Sequence, residues 1–281
     1  MIRFGPSGNS ESFYEEGFTS TMEAPLWLKA KGLNAYEYPF GRGINLSLET
    51  AARLGRLMAA EDIALSVHAP YYINLANPDP DKRKASLTYI LESARRAHGL
   101  NADRVVVHVG APMKLERKEA LKNCREGLRT AQKLLDDNGL SAIHLCPETM
   151  GKKGQIGDLE ETLQLCQAES RFIPCLDFAH IHALGQGRLN ETEDFEKVLD
   201  IAESMLGRER MKNMHVHFST IEYTSAGEKR HRTFAETEYG PRFEHLAPLL
   251  KERDYAPRII CECKGTMAED AAEMKKIWEA L

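Results

Sequence analysis

Short runs rich in β-branched and other apolar residues alternate along this chain with longer runs whose apolar positions recur at helical spacing. The β-like runs cover residues 2–5, 35–38, 64–68, 104–108, 142–148, 172–177, 211–217 and 258–262, eight in all. Helical patterns cover residues 47–60, 81–97, 118–137, 159–168, 194–206 and 243–252, and 268–281 closes the chain. Strand–helix alternation predicts a parallel sheet, because a helix carries the chain back to start each new strand in the same direction. Eight such units in 281 residues predict closure into an α/β fold, a single (β/α)8 TIM barrel over residues 1–281, since no unit alone can bury both faces of its strand. An open doubly wound sheet would carry a Gly-rich fingerprint after its first strand, and Gly5-Pro6-Ser7-Gly8 lacks that spacing.

Composition changes this picture little. A chain 42% hydrophobic and 28% charged has an ordinary globular balance. No apolar run approaches the roughly 18 residues of a membrane span, and the first ten residues lack the basic and apolar regions of a signal peptide. A cytoplasmic location and no membrane partner are therefore expected. The six cysteines form no C-x-x-C pair and read as buried thiols in a reducing compartment. Cys261 and Cys263 flank Glu262, so in a strand both sulfurs point away from the face that shows the glutamate. The net charge of −5 argues against tight non-specific binding to nucleic acid but leaves room for a local basic patch.

The chemistry is concentrated where the predicted strands end. Six strands in succession finish on a metal-ligand residue type: His68, His108, Glu148, Asp177, His215 and Glu262. In a barrel these ends converge on one mouth. Six ionisable groups gathered there would be costly without a compensating cation. His180 and His231 are further candidates in loops. His182 and His217 read as second-layer or surface imidazoles that leave ligation open, and His98, His144 and His245 read as structural. An imidazole-rich set favours zinc, with Mn2+ or Fe2+ as alternatives. It is too large for one tetrahedral ion, so two or three ions sharing a carboxylate are expected. Such a cluster suits phosphodiester hydrolysis, with Glu148 and Glu262 as the catalytic carboxylates.

The ordered motifs resemble the endonuclease IV family of xylose isomerase-like barrels, this chain being a diverged member. They are His68-Ala69-Pro70-Tyr71-Tyr72, Val107-His108-Val109-Gly110, Pro147-Glu148-Thr149-Met150-Gly151-Lys152-Lys153-Gly154, Cys175-Leu176-Asp177-Phe178-Ala179-His180, His215-Val216-His217-Phe218-Ser219 and Cys261-Glu262. The resemblance implies a monomeric zinc enzyme of DNA repair that cleaves duplex DNA 5′ of abasic sites by metal-hydroxide attack. Carried over, His68 and His108 hold one ion, Glu148 shares it with a second held by Asp177, His215 and Glu262, and His180 and His231 hold a third. Tyr71 and Tyr72 would meet the DNA at the rim, and Lys152, Lys153, Lys229 and Arg230 its phosphates. Two positions depart from the pattern. Lys229 stands where the family places an aspartate on the third ion, so either Glu228 takes that role or the ion is absent. Phe218 also replaces an aspartate. The same superfamily includes sugar isomerases and epimerases, which is the alternative reading, beside a diverged metal-binding relative with weak nuclease activity.

Overall fold

The computed structural model describes residues 1–41 and 43–281. Eight strands form a closed parallel ring: β1 (Arg3–Pro6), β2 (Ala35–Pro39), β3 (Ala64–His68), β4 (Arg104–Val107), β5 (His144–Pro147), β6 (Cys175–Asp177), β7 (His215–Phe218) and β10 (Arg258–Cys261). Hydrogen bonding links β2-β3-β4-β5 and β6-β7-β10-β1 as two arcs. The parallel bridges Ser7↔Glu37 and Glu148↔Cys175 close the seams. β8 (Thr220–Thr224) and β9 (Gly227–Arg232) form an antiparallel hairpin outside the ring, in the β7 loop.

Helices wrap the ring in sequence order: α1 (Glu11–Glu15), α2 (Ala24–Ala30), α3 (Leu48–Ala60), α4 (Pro80–Gly99), α5 (Arg117–Asp137), α6 (Leu159–Cys166), α7 (Phe178–Leu184), α8 (Thr192–Leu206), α9 (Arg208–Lys212), α10 (Phe243–Glu252) and α11 (Met267–Glu279). Among the described residues, none of them is long and apolar enough to cross a membrane. The expected strand over 211–217 begins late: Met211 and Lys212 end α9, and pairing starts at His215. Residues 172–174 likewise precede the pairing of β6.

Alternation along the strands decides which side chains face which layer. Phe4, Leu65, Val67, Val105, Leu145, Leu176, Val216 and Ile259 belong to the large core under the helices. The other parity fills the barrel interior, where Val106, Cys146 and Cys175 form a small separate cluster. All six cysteines are free and buried.

Candidate metal centre

The inward parity of six strands, β3 to β7 and β10, delivers a ligand-type side chain to the mouth. His68 ends β3 and Asp177 ends β6, while His108, Glu148 and Glu262 stand one residue beyond β4, β5 and β10. On β7 both His215 and His217 share the inward parity. His217, nearer the C-terminal end, reaches the mouth. His215 lies one layer deeper, and its Nε2 is 3.1 Å from Glu37 Oε2. The structure therefore does not bring His215 to the other expected ligands. A step of two residues moves a side chain about 6.6 Å along the strand without changing its face. Phe218 takes the opposite parity and is buried against Phe178 and Phe243 in the outer core, so no carboxylate function has been lost there.

Glu148 is the hub. One oxygen, Oε2, lies 3.1 Å from His68 Nε2 and 2.9 Å from His108 Nε2. The other, Oε1, lies 3.1 Å from His217 Nδ1, which is also 3.5 Å from Glu262 Oε2. His180 stands on the first turn of α7, where Asp177 caps the helix by accepting from the His180 amide at 2.8 Å. Its ring Nδ1 is 3.3 Å from Asp177 Oδ2 and 3.5 Å from Glu148 Oε1.

The hairpin completes the far side. Gly227 has φ +103°, and a Cβ there would sit 2.1 Å from the Gly151 carbonyl oxygen. A Cβ on Gly151 would meet Glu228 Cβ at 2.7 Å. Only these two glycines allow the β5 loop and the hairpin to touch, and the Glu228 amide donates to Gly151 O at 2.8 Å. The contact aims Glu228 inward, its Oε2 3.5 Å from His180 Nε2. Lys229 points the other way, onto Glu222, which also receives Arg230 and Arg232. Glu228, which the sequence left as one of two options, thus lies beside His180 and lines the same cavity as His231, while Lys229 does not.

Hydrogen bonds fix which nitrogen each imidazole can offer. Nδ1 faces the Ala69 carbonyl in His68 at 2.8 Å, the Thr149 carbonyl in His180 at 2.9 Å and the Ser219 hydroxyl in His231 at 2.7 Å. The two carbonyls can only accept, so Nδ1 of His68 and His180 carries a proton, and Nε2 is the nitrogen left to take a cation in place of its own proton. In His231 the Ser219 hydroxyl occupies Nδ1, and Nε2 again is left over.

The electrostatics show a cluster short of positive charge. Glu148 is fully buried, which alone would raise its pKa, yet His108 and His217 hold it well below the usual carboxylate range. Burial disfavours charge on His68 and His180, but the carboxylates around each ring lift both to about 9. Burial likewise opposes charge on His217, which nearby thiol and carboxylate groups nonetheless push well above its ordinary value. Burial raises Asp177 despite His180 and His231. Its Oδ2 is buried without a hydrogen-bond partner, a defect that costs about 1–3 kcal/mol in an isolated polar group. Protons on imidazoles here stand in for cations, and the orphaned Asp177 Oδ2 lies 3.3 Å from His180 Nδ1 without bonding to it. Three groupings fit metal ions by donor type and proximity: His68/His108/Glu148, His68/His217/Glu262 and Asp177/His180/His231.

A cavity of about 350 Å³ lies over the cluster, lined by His68, Tyr71, His108, Lys152, His180, Glu228, His231 and Glu262. It shares Glu228, His231 and Glu262 with a wider groove of about 600 Å³ that Lys229, Arg230 and Lys264 flank. Lys152 is half-exposed and 3.7 Å from Glu228 Oε1, and Lys153 is exposed beside it. Tyr71 is exposed on the rim and packs edge-on against Tyr72, which rests on Tyr89.

Residues 26–279 match the model of the xylose isomerase-like TIM barrel family. The chain belongs to this family. It is 32% identical over 281 residues to an uncharacterized protein of Methanocaldococcus jannaschii, covering 100% of this chain and 98% of that one. It is 29% identical over 170 residues to a probable endonuclease 4 of Acholeplasma laidlawii, covering 59% of this chain and 55% of that relative. Among solved structures it resembles a D-tagatose 3-epimerase-like protein (TM-score 0.71, 20% identity, 99% and 96% of the two chains). It also resembles endonuclease IV from Thermus thermophilus (TM-score 0.64, 20% identity, 99% and 98%). At that identity the structural likeness speaks for the barrel alone. The chain is a diverged member of its family.

Glu37 is the site-adjacent residue that sequence reasoning missed. Its only signal was a charged side chain inside an apolar strand, Ala35-Tyr36-Glu37-Tyr38, and the structure buries it completely beneath the mouth.

Proposed function

We propose that this protein is a divalent-metal-dependent phosphodiesterase, with zinc as the resident ion, that incises duplex DNA 5′ of abasic sites. The observation that carries this reading is the Glu148 hub. One buried carboxylate turns one oxygen to His68 and His108 and the other to His217, the arrangement of a bridge between two cations. His68, His108 and Glu148 would hold one ion; Glu148, Asp177, His217 and Glu262 a second; His180, His231 and Glu228 a third. Bound there, such ions supply Lewis acidity that neutralises a phosphate and makes water acidic.

The protein's own groups prepare the rest. Asp177 orients His180 through the helix cap, and the Ala69 and Thr149 carbonyls lock the tautomers of His68 and His180. Lys152, Lys153, Lys229 and Arg230 surround the groove with positive charge for backbone phosphates. Glu222 offsets part of it, one carboxylate against three cations. Tyr71 and Tyr72 stand at the rim, where an extruded nucleotide leaves a gap in the stack that an aromatic face fills. The wealth of imidazole weighs against the sugar isomerase or epimerase alternative, whose hard cations prefer oxygen donors.

The test is zinc-loaded protein on a duplex holding a single abasic analogue. Cleavage on its 5′ side, absent from Glu262→Gln, is expected. Ketose epimerisation without incision would replace this reading by the alternative.

A further inference from the structure

A second set of ligand-type groups lies below the mouth, inside the closed ring. Glu37, Cys175, His215 and His217 come from β2, β6 and β7 and are completely buried. Cys175 Sγ and one nitrogen of each histidine lie within 4.8 Å of one another. Glu37 approaches both rings, with Oε2 3.1 Å from His215 Nε2 and Oε1 3.0 Å from His217 Nε2. His215 Nε2, His217 Nε2 and Glu37 Oε1 are all buried without a hydrogen-bond partner.

Donors that approach closely without pairing are what a shared cation would explain. Ligand atoms about 2.0–2.3 Å from one tetrahedral zinc stand roughly 3.3–3.5 Å apart, their lone pairs meeting at the ion and not along the line between them. We propose that Glu37, Cys175, His215 and His217 form a sealed site for one further divalent cation, with the two-nitrogen, one-sulfur, one-oxygen donor set that zinc prefers. Charge supports the assignment. A Glu37 carboxylate and a Cys175 thiolate cancel a 2+ ion, which suits an interior that water does not reach. Binding expels the Cys175 thiol proton and the His217 Nε2 proton to solvent. His217 Nδ1 faces Glu148 and Glu262 at the mouth, so this one imidazole connects the two levels. When it ligates on both sides it also loses the Nδ1 proton and shares its negative charge between them. Ser66 holds the carboxylate in place by donating to Glu37 Oε2 at 2.9 Å.

The site is sealed, so the cation enters as the chain folds. Protein produced in cobalt-supplemented medium should show a near-ultraviolet thiolate-to-cobalt charge-transfer band, because the proposed mouth ligands include no sulfur. Cys175→Ser should abolish the band and lower the cobalt content by one ion per chain, while Cys261→Ser changes neither. His68→Ala should keep the band while emptying part of the mouth. If Cys175→Ser does not fold, Glu37→Gln should weaken the same band with the thiol intact. Cobalt-loaded protein with no thiolate band, or a band that follows Cys261 and not Cys175, overturns the proposal. DNA incision without the band refutes this inference alone, and the band without incision refutes the nuclease reading alone.

Discussion

Both ends of the barrel bury charge, but only one end sets its carboxylate against guanidinium groups. At the N-terminal end, Arg258 donates to the Leu65 carbonyl at 2.7 Å and to Asp103 Oδ1 at 2.9 Å. Arg104 meets the same carboxylate through Oδ2 at 3.0 Å and the Asn213 carbonyl at 3.3 Å. Two guanidinium groups, one carboxylate and two backbone carbonyls make a set that serves the fold. At the C-terminal end, Glu37, Glu148, Asp177, Glu228 and Glu262 crowd around imidazoles whose only positive charge is borrowed protons, and Asp177 Oδ2 has no partner. The comparison teaches how to separate structure from function among buried charges: a carboxylate held by guanidinium groups serves the fold even though Arg258 Nε stays unpartnered, whereas carboxylates that meet only imidazoles leave room for a cation.

The largest expected effect comes from removing the hub. Glu148→Ala should lower metal-dependent incision by roughly 10³-fold or more, measured as single-turnover rate. Its thermal stability without metal should fall, since the buried imidazoles that pair with Glu148 lose their carboxylate. A rate within tenfold of the parent would break the contrast between the two ends. Next is Gly227→Ala, which adds a Cβ 2.1 Å from the Gly151 carbonyl at a positive φ. It should push the hairpin away, withdraw Glu228 and His231, and lower the metal content by one ion per chain. Unchanged content would mean the hairpin does not build the third position.

At the opposite end, Asp103→Asn should cost roughly 1–3 kcal/mol of stability and leave incision per folded molecule unaltered. Asp103 is half-exposed, which keeps the figure modest. Despite partial burial, Arg258 and Arg104 hold its carboxyl well below the usual value. Its contribution is therefore complete above about pH 4, the unfolded value, and is lost as pH falls below that. The gap in melting temperature between parent and variant should close in acid. The smallest effect belongs to Lys229→Asp. Lys229 points to Glu222 and away from the ions, so the metal content should stay the same, with DNA affinity falling a few-fold more at low salt than at high. A gain of one ion would restore the simple reading of this position from the sequence.

The barrel was legible because its signal is redundant: eight runs, seven of them followed by a helical pattern, all had to fit one closed ring. The mouth was legible wherever the strand-end residue itself was the inward ligand type, as in His68, His108, Glu148, Asp177 and Glu262. It failed on β7, where His215 and His217 share one face and only the strand's depth in the ring tells them apart. The hairpin was invisible because Glu228 depends on a contact between two glycines 76 positions apart (Gly151 and Gly227). The α7 cap was hidden for a related reason, since Phe178-Ala179-His180 continues directly from β6 with no turn residues between.

The central claim is that cations shared through Glu148 neutralise the mouth. Anomalous diffraction at the zinc edge from crystals of zinc-loaded protein tests it most directly. The account predicts strong peaks on both sides of Glu148, one against His68 and His108 and another against His217 and Glu262. A well-ordered map without peaks there, in which Glu148 bonds directly to protonated imidazoles, would contradict it.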